Sequence, residues 1–290
     1  MLSHVIVTTD GSEASERMLE CVKALRRVGS REVVLIHVFD VRDVNGLYET
    51  LRKSMLPKLE RQRNSLQEAG FKVDIETPLG VVYYEVNKLG RRHGSSLVVV
   101  GAHGESLVKE LLLGSTAHSI LQNAVLPVLL VRLEITEGNS GKRCRAICGD
   151  LFRHVLFPTD FSDNAQHAFL YLEHIVRETK SQVTLLHVQD QAKIERHLKH
   201  RLEEFNQIDA ERLEGMRLRL EQCGAASVEV EIPYGSPTKI ILERARANRF
   251  SLILMGSQGR GFIHQVFLGS VANNIARLAP LPVLFVPAVR

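Results

Sequence analysis

Tryptophan is absent from this chain of 290 residues, and aromatic residues together make up only 6% of it. A surface that binds nucleic acid needs a concentrated basic face, usually interleaved with stacking aromatics. The formal net charge here is only +4, so nucleic acid is not an expected partner. Long apolar runs are missing as well. None approaches the ~20 residues that span a bilayer, so no membrane partner is expected. Met1-Leu2-Ser3-His4-Val5 enters a strand-like run directly, without the layout of a signal peptide, and a cytoplasmic location is the expectation. The four cysteines form no recognisable disulfide or metal framework. Cys144 and Cys148 lie close together, but C-x3-C is not the usual zinc spacing. They read as reduced thiols, with redox sensing as the alternative.

Several catalytic signatures are also missing. There is no G-x4-G-K-[ST] loop, no G-x-G-x-x-G, no S-G-G-x-D-S, no H-x-G-H, no H-E-x-x-H and no G-x-S-x-G. Efficient phosphoryl transfer would need a placed metal and charge stabilisation at the γ-phosphate, which these absences leave without a source. His197 and His200 stand three apart in a polar stretch and read as part of a solvated face rather than a metal site. No catalytic or metal-binding residue is therefore assigned, and at most weak hydrolytic activity is expected.

What the chain does have is one glycine pattern written twice. Gly101-Ala102-His103-Gly104 is followed after nine residues by Gly114-Ser115; Gly256-Ser257-Gln258-Gly259 is followed after nine by Gly269-Ser270. Other landmarks share the repeat. Asp10 and Asp160, and His37 and His187, lie 150 apart, whereas Gly80 and Gly235, and Pro127 and Pro282, lie 155 apart. The second copy thus gains five residues in a polar helix-and-loop stretch, where insertions are best tolerated. A period this long fits a whole domain rather than a solenoid unit. The expected division is a first domain over 1–133, a linker over 134–150 and a second domain over 151–290.

Within each copy, short apolar runs alternate with helical patterns. In the first, 5–10, 32–38, 71–77, 97–100 and 127–131 read as strands. Segments 17–28, 81–90 and 115–123 read as helices, and 47–69 as a polar helix with a candidate break at Pro57. The second copy repeats this order. Alternation of this kind implies right-handed crossovers and a parallel sheet with helices on both faces. The fold class is α/β, in two tandem doubly wound domains.

In such sheets, ligands bind beyond the carboxyl ends of the strands, where strand order reverses. Gly256 would let the chain turn off its strand, and Gly259 would let the loop approach a ligand closely. Gly269-Ser270 would open a helix whose free N–H groups and dipole favour phosphate, with the serine capping the helix or donating to a phosphate oxygen. Asp160 could accept from ribose hydroxyls, and Thr159 could offer backbone groups to a base. Gly101, Gly104, Gly114, Ser115 and Asp10 have the same roles in the first copy. The alternative is that the glycines serve only turns and the serines only caps. Four positions at matching spacing, twice, favour the ligand.

The combination G-x2-G-x9-G-[ST], Val-Thr-Thr-Asp and Phe-Pro-Thr-Asp near the starts of the copies, and P-V-L-x-V at their ends resembles the universal stress protein family over nearly the whole chain. The resemblance implies a five-stranded parallel sheet in each copy and binding of ATP or AMP, with or without Mg2+. Carried over by position, one nucleotide site would use Pro158, Thr159, Asp160, Val188, Met255, Gly256, Gln258, Gly259, Gly269, Ser270 and Val271. The other would use Thr8, Thr9, Asp10, Val38, Val100, Gly101, His103, Gly104, Gly114, Ser115 and Thr116. Thr8 and Gln258 depart from the family's usual Pro and His. The last strands, 128–131 and 283–286, could pair as an intrachain pseudo-dimer, with a homodimer beyond it. Glu105, Lys109 and Glu110 in one loop, against Arg260 and His264 in the other, suggest tighter nucleotide binding by the second copy. The function implied is a nucleotide-binding stress-response or signalling module acting through conformation or an unknown protein partner. A slow ATPase or nucleotide-transferring enzyme and a nucleotide-independent scaffold are the alternatives.

Overall fold

The protein is described by a computed structural model covering residues 1–40, 47–102, 113–138, 141–146, 150–194, 202–247, 249–259 and 268–288. The chain divides into two compact units, Met1–Gly149 and Asp150–Arg290. In the first unit β1 (His4–Thr8) leads to α1 (Glu13–Ala24), which continues as a 3₁₀ turn at Leu25–Val28, then β2 (Glu32–Ile36). There follow α2 (Tyr48–Glu68), β3 (Lys72–Glu76), α3 (Val82–Arg92), β4 (Leu97–Gly101), α4 (Ser115–Gln122) and β5 (Val128–Val131). An antiparallel hairpin, β6 (Leu133–Gly138) and β7 (Gly141–Ala146), ends the unit where a linker was expected. It packs on α1.

The second unit runs β8 (His154–Pro158), α5 (Asp163–Thr179), β9 (Gln182–Leu186), β10 (Gln189–Asp190), α6 (Gln191–Ile194), α7 (Leu202–Gln222) and β11 (Ser227–Glu231). It closes with β12 (Tyr234–Gly235), α8 (Pro237–Ala245), β13 (Leu252–Gly256), α9 (Ser270–Leu278) and β14 (Val283–Val286). The short β10 and β12 pair with each other, outside the main sheet.

The main sheet of the first unit has the order β5-β4-β1-β2-β3, and that of the second β14-β13-β8-β9-β11. Every pairing within each is parallel. The fold is thus α/β and doubly wound in both units, as the alternating pattern requires. Right-handed crossovers put α1 and α2 on one face and α3 and α4 on the other, consistent with the α1–α2 and α3–α4 packing. Central strands such as β8 and β13 are buried at every residue because helices cover both faces. The edge strands β3 and β11 expose charged residues instead. In each sheet the order reverses beside the first strand, between β1 and β4 and between β8 and β13, which opens the crevice.

Two local features differ from the sequence expectation. Helix α2 runs unbroken through Pro57. The lost bond would have gone to the Lys53 carbonyl, and both residues are exposed, so water satisfies it. Leu59, Gln62 and Leu66 on the opposite side are buried and hold the helix down. Secondly, Cys21, fully buried in α1, is disulfide-bonded, although the cysteine spacing suggested no framework. Cys223 is a buried free thiol; the side chains of Cys144 and Cys148 lie outside the described residues.

Candidate functional site

Both crevices are built in the same way from the end of the first strand. In the second unit the Thr159 N–H donates to the Leu186 carbonyl at 2.9 Å, prolonging β8 alongside β9. Asp160 then turns the chain. Its Oδ1 accepts from the Ser162 N–H at 3.1 Å and from the Ser162 hydroxyl at 2.6 Å. The Ser162 hydroxyl in turn accepts from the Ala165 N–H at 3.2 Å and caps α5. One carboxylate oxygen is thereby tied down, leaving Oδ2 to face the glycine loop. In the first unit the Thr9 N–H donates to the Ile36 carbonyl at 3.0 Å. Asp10 accepts from Ser12 at 3.0 and 2.5 Å, and Ser12 caps α1. The D-x-S pattern at both positions was a signal in the sequence that the glycine spacing overshadowed.

His37 and His187 belong to the same corner. Each Nδ1 lies 2.8 Å from the carbonyl of Thr9 or Thr159, so each ring braces the residue before the aspartate. Their surroundings differ. His187 also lies 3.2 Å from Asp209, which accepts from Gln189 at 2.7 Å. His37 has the weaker neighbours Asp10 and Lys58, and burial holds its pKa below the ordinary histidine value.

The glycine loop of the second unit comes up against this corner. The Ser257 N–H donates to the Val286 carbonyl and the Gly269 N–H to the Ser257 carbonyl, each at 2.8 Å. A Cβ placed on Gly259 would sit 2.6 Å from Asp160 Oδ2, and one on Gly256 would sit 2.8 Å from Asn164 Nδ2. Both glycines are therefore demanded by close approach. Asn164 holds the loop by donating to the Gln258 carbonyl at 3.1 Å. Helix α9 starts at Ser270 with Gly269 as an extended N-cap and no side-chain cap, so its first N–H groups keep donor capacity. Helix α4 starts in the same way after Gly114, whose N–H donates to the Ala102 carbonyl at 2.8 Å.

The structure thus brings Thr159, Asp160, Gly256, Gln258, Gly259, Gly269 and Ser270 to one edge of the sheet. Pro158 and Met255 are the last and penultimate residues of β8 and β13, Val188 follows β9, and Val271 is the second residue of α9. In the first unit Thr8, Val100 and Gly101 end strands, Thr9 and Asp10 follow β1, Val38 follows β2, and Gly114, Ser115 and Thr116 open α4. His103 and Gly104 lie outside the described residues. So do Glu105, Lys109, Glu110, Arg260 and His264, invoked for the difference between the copies, and His197 and His200. Asn164 and Ser257 also lie at this loop. Both are buried, and each carries a side-chain oxygen without a hydrogen-bond partner among the described residues: Asn164 Oδ1 and Ser257 Oγ. Asn164 was hidden because Ala14 occupies its place in the first copy. Among the described residues, no group of three or more His, Cys, Asp or Glu could hold a metal ion.

Both units thus carry a parallel sheet, an acidic corner after the first strand and a helix start without a side-chain cap, and in the second unit a glycine loop folds onto that corner. The sequence profile described as "Universal stress protein family" matches residues 1–132 and 151–287. The chain belongs to the universal stress protein family and carries two of its units in tandem. A universal stress protein of Methanocaldococcus jannaschii is 28% identical over 155 residues, which is 46% of this chain and 96% of that protein. The universal stress protein YxiE of Bacillus subtilis is 28% identical over 148 residues, covering 46% of this chain and all of that protein. The crystal structure of a universal stress protein from Archaeoglobus fulgidus superposes with a TM-score of 0.76 at 25% identity, covering 99% of this chain and 98% of that one. No helix among the described residues is long and apolar enough to cross a membrane.

Proposed function

We propose that this universal stress protein binds an adenine nucleotide, ATP or AMP with or without Mg2+, in the glycine-loop crevice of each unit. It acts as a cytoplasmic stress-response or signalling module in which occupancy biases conformation or the choice of a protein partner. The observation that carries the reading is the cradle around Asp160. Gly259 lies so close to the carboxylate that a Cβ there would push Asp160 Oδ2 out of place, and the adjoining helix start of α9 offers uncapped N–H groups to a phosphate. The unpartnered oxygens of Asn164 and Ser257 add acceptors at the loop. Asp160 Oδ2 would take ribose hydroxyls, and the Thr159 and Val188 backbone would edge the base. Asn164 staples the loop in the second unit, whereas Ala14 cannot do so in the first. Tighter binding by the second unit is part of the proposal.

The test is to denature freshly purified protein, and to identify and count the released nucleotides by mass spectrometry. The expected result is between one and two adenine nucleotides per chain. Gly259→Ala is expected to remove the second-unit equivalent while leaving the unfolding transition within about 1 kcal/mol of the parent. Intact ATP among the released ligands would support a binder rather than an ATPase. No bound nucleotide, and no binding on titration with ATP or AMP, would leave only the scaffold alternative.

A further inference from the structure

We propose a second ligand site in the Asp150–Arg290 unit, a pocket for a small aromatic carboxylate between α5 and α7. A half-open cavity of about 490 Å³ lies there, lined by Thr159, Phe161, Gln166, Phe169, Arg212, Met216 and Arg219. Its size falls within the range of small-molecule pockets. Phe161, Phe169 and Met216 supply an apolar wall, and the polar groups are the two cations Arg212 and Arg219 with the neutral Thr159 and Gln166. That combination suits a flat ring with one negative charge. A bare phosphate would leave the aromatic walls unused, and a neutral ring would leave the guanidinium charge unanswered.

Three observations make this a built site. Phe161 is one of only two non-glycine residues with positive φ among the described residues, at 59°. An L residue adopts that conformation at a cost of order 1 kcal/mol, and here it aims the ring onto His187, with centroids 4.6 Å apart. The guanidinium groups of Arg212 and Arg219 stand over the rings of Phe161 and Phe169, at 5.3 and 4.8 Å from the centroids. The charges are not evenly matched. Arg219 is held by Glu173 through two bonds of 3.0 and 3.1 Å. Among the described residues Arg212 has a single ion-pair contact, 3.4 Å to Asp209 Oδ1, and that carboxylate already serves His187 and Gln189 through Oδ2. Arg212 therefore keeps both charge and N–H donors for an anion.

The first unit shows what happens without the aromatic wall. Gly11 stands where Phe161 stands in the second copy. A Cβ on Gly11 would meet Met55 Sδ at 2.8 Å and Lys58 Cδ at 2.9 Å, so α2 closes directly onto the turn. Phe161 occupies that space in the second unit, with α7 beyond it. The inference does not depend on nucleotide binding, although Thr159 borders both sites.

The full chain should be titrated with 2-naphthoate by calorimetry, with and without saturating ATP, beside the neutral 2-naphthamide. The expected result is one saturable site per chain that persists with ATP. The amide should bind about tenfold more weakly, and Arg212→Gln should weaken naphthoate by a similar factor, the loss expected for one charge-assisted bond. The Arg212 side chain is 53% exposed, so the variant is expected to fold, and its melting temperature verifies this. Phe161→Gly should also weaken naphthoate by removing the wall. The proposal is overturned if naphthoate binds no better than the amide, if both variants bind it like the parent, or if one equivalent of ATP displaces it.

Discussion

Glycine has opposite meanings at two places in this chain. At Gly259 a Cβ would come within 2.6 Å of Asp160 Oδ2, so an added side chain would displace the carboxylate. At Gly215, in the exposed face of α7, a Cβ would meet nothing within 4 Å, and φ is not in the left-handed region. Glycine within a helix carries only its entropic penalty. Gly215→Ala should therefore stabilise the protein by about 0.5–1 kcal/mol, read as a higher urea midpoint at unchanged slope. A lower midpoint would show that the helix backbone there is needed for a contact. The repeat made the three glycines of the motif legible, because the same spacing appears twice. It could not reveal Asn164 or Asp209, whose roles exist in one copy only and depend on helices packing against the loop and the strand end.

At the scale of the element, the turn after the first strand joins cap and site in one piece. Ser162 caps α5 and also holds Asp160 in place. Ser162→Ala removes both bonds. It should cost about 1 kcal/mol of stability and should weaken nucleotide retention in the second unit, because Oδ1 of Asp160 then keeps only the bond from the backbone N–H. Ser12→Ala should cost a similar amount through α1. Equal retention in Ser162→Ala would separate the cap from the site. Element types were legible from periodicity: the central strands are apolar throughout and the helices carry stripes. Pro57 misled at this scale because it lies on the exposed face of α2, where the freed carbonyl faces solvent and the buried side of the helix stays packed. The β6–β7 hairpin was missed because its segment has no apolar alternation strong enough to distinguish it from a linker.

For the whole molecule, His37 and His154 favour stability at neutral over acidic pH. Burial lowers the pKa of His37 and of His154 below the ordinary 6.5, and Arg249 adds to the effect at His154. The folded state thus favours neutral rings while the unfolded chain takes up protons readily. Their contribution is fully present above 6.5, and it is lost as pH falls through 6.5 towards the depressed folded values. Unfolding midpoints should therefore drop between pH 7.5 and 5.5, and His37→Asn and His154→Asn should each flatten that drop. A slope unchanged in both variants would assign the acid sensitivity to other groups. His154 opens β8 with its ring 2.9 Å from the Thr184 hydroxyl, and His37 sits at the crevice. Neither environment can be read from the residue's neighbours in the chain.

The sequence by itself determined the tandem α/β fold, the order of its strands and helices, and the repeated spacing of the glycine motif. Each of these is a local property, set by periodicity, propensity and spacing, and each is written twice. Tertiary structure alone decided which side chains meet at the crevice: Gly259 against Asp160, Asn164 on the Gln258 carbonyl, His187 between Thr159 and Asp209. Those contacts join residues from separate elements, and their distances depend on how helices settle on the sheet. The same physics explains why one copy sets Phe161 and Arg212 around a cavity while the other closes on Gly11.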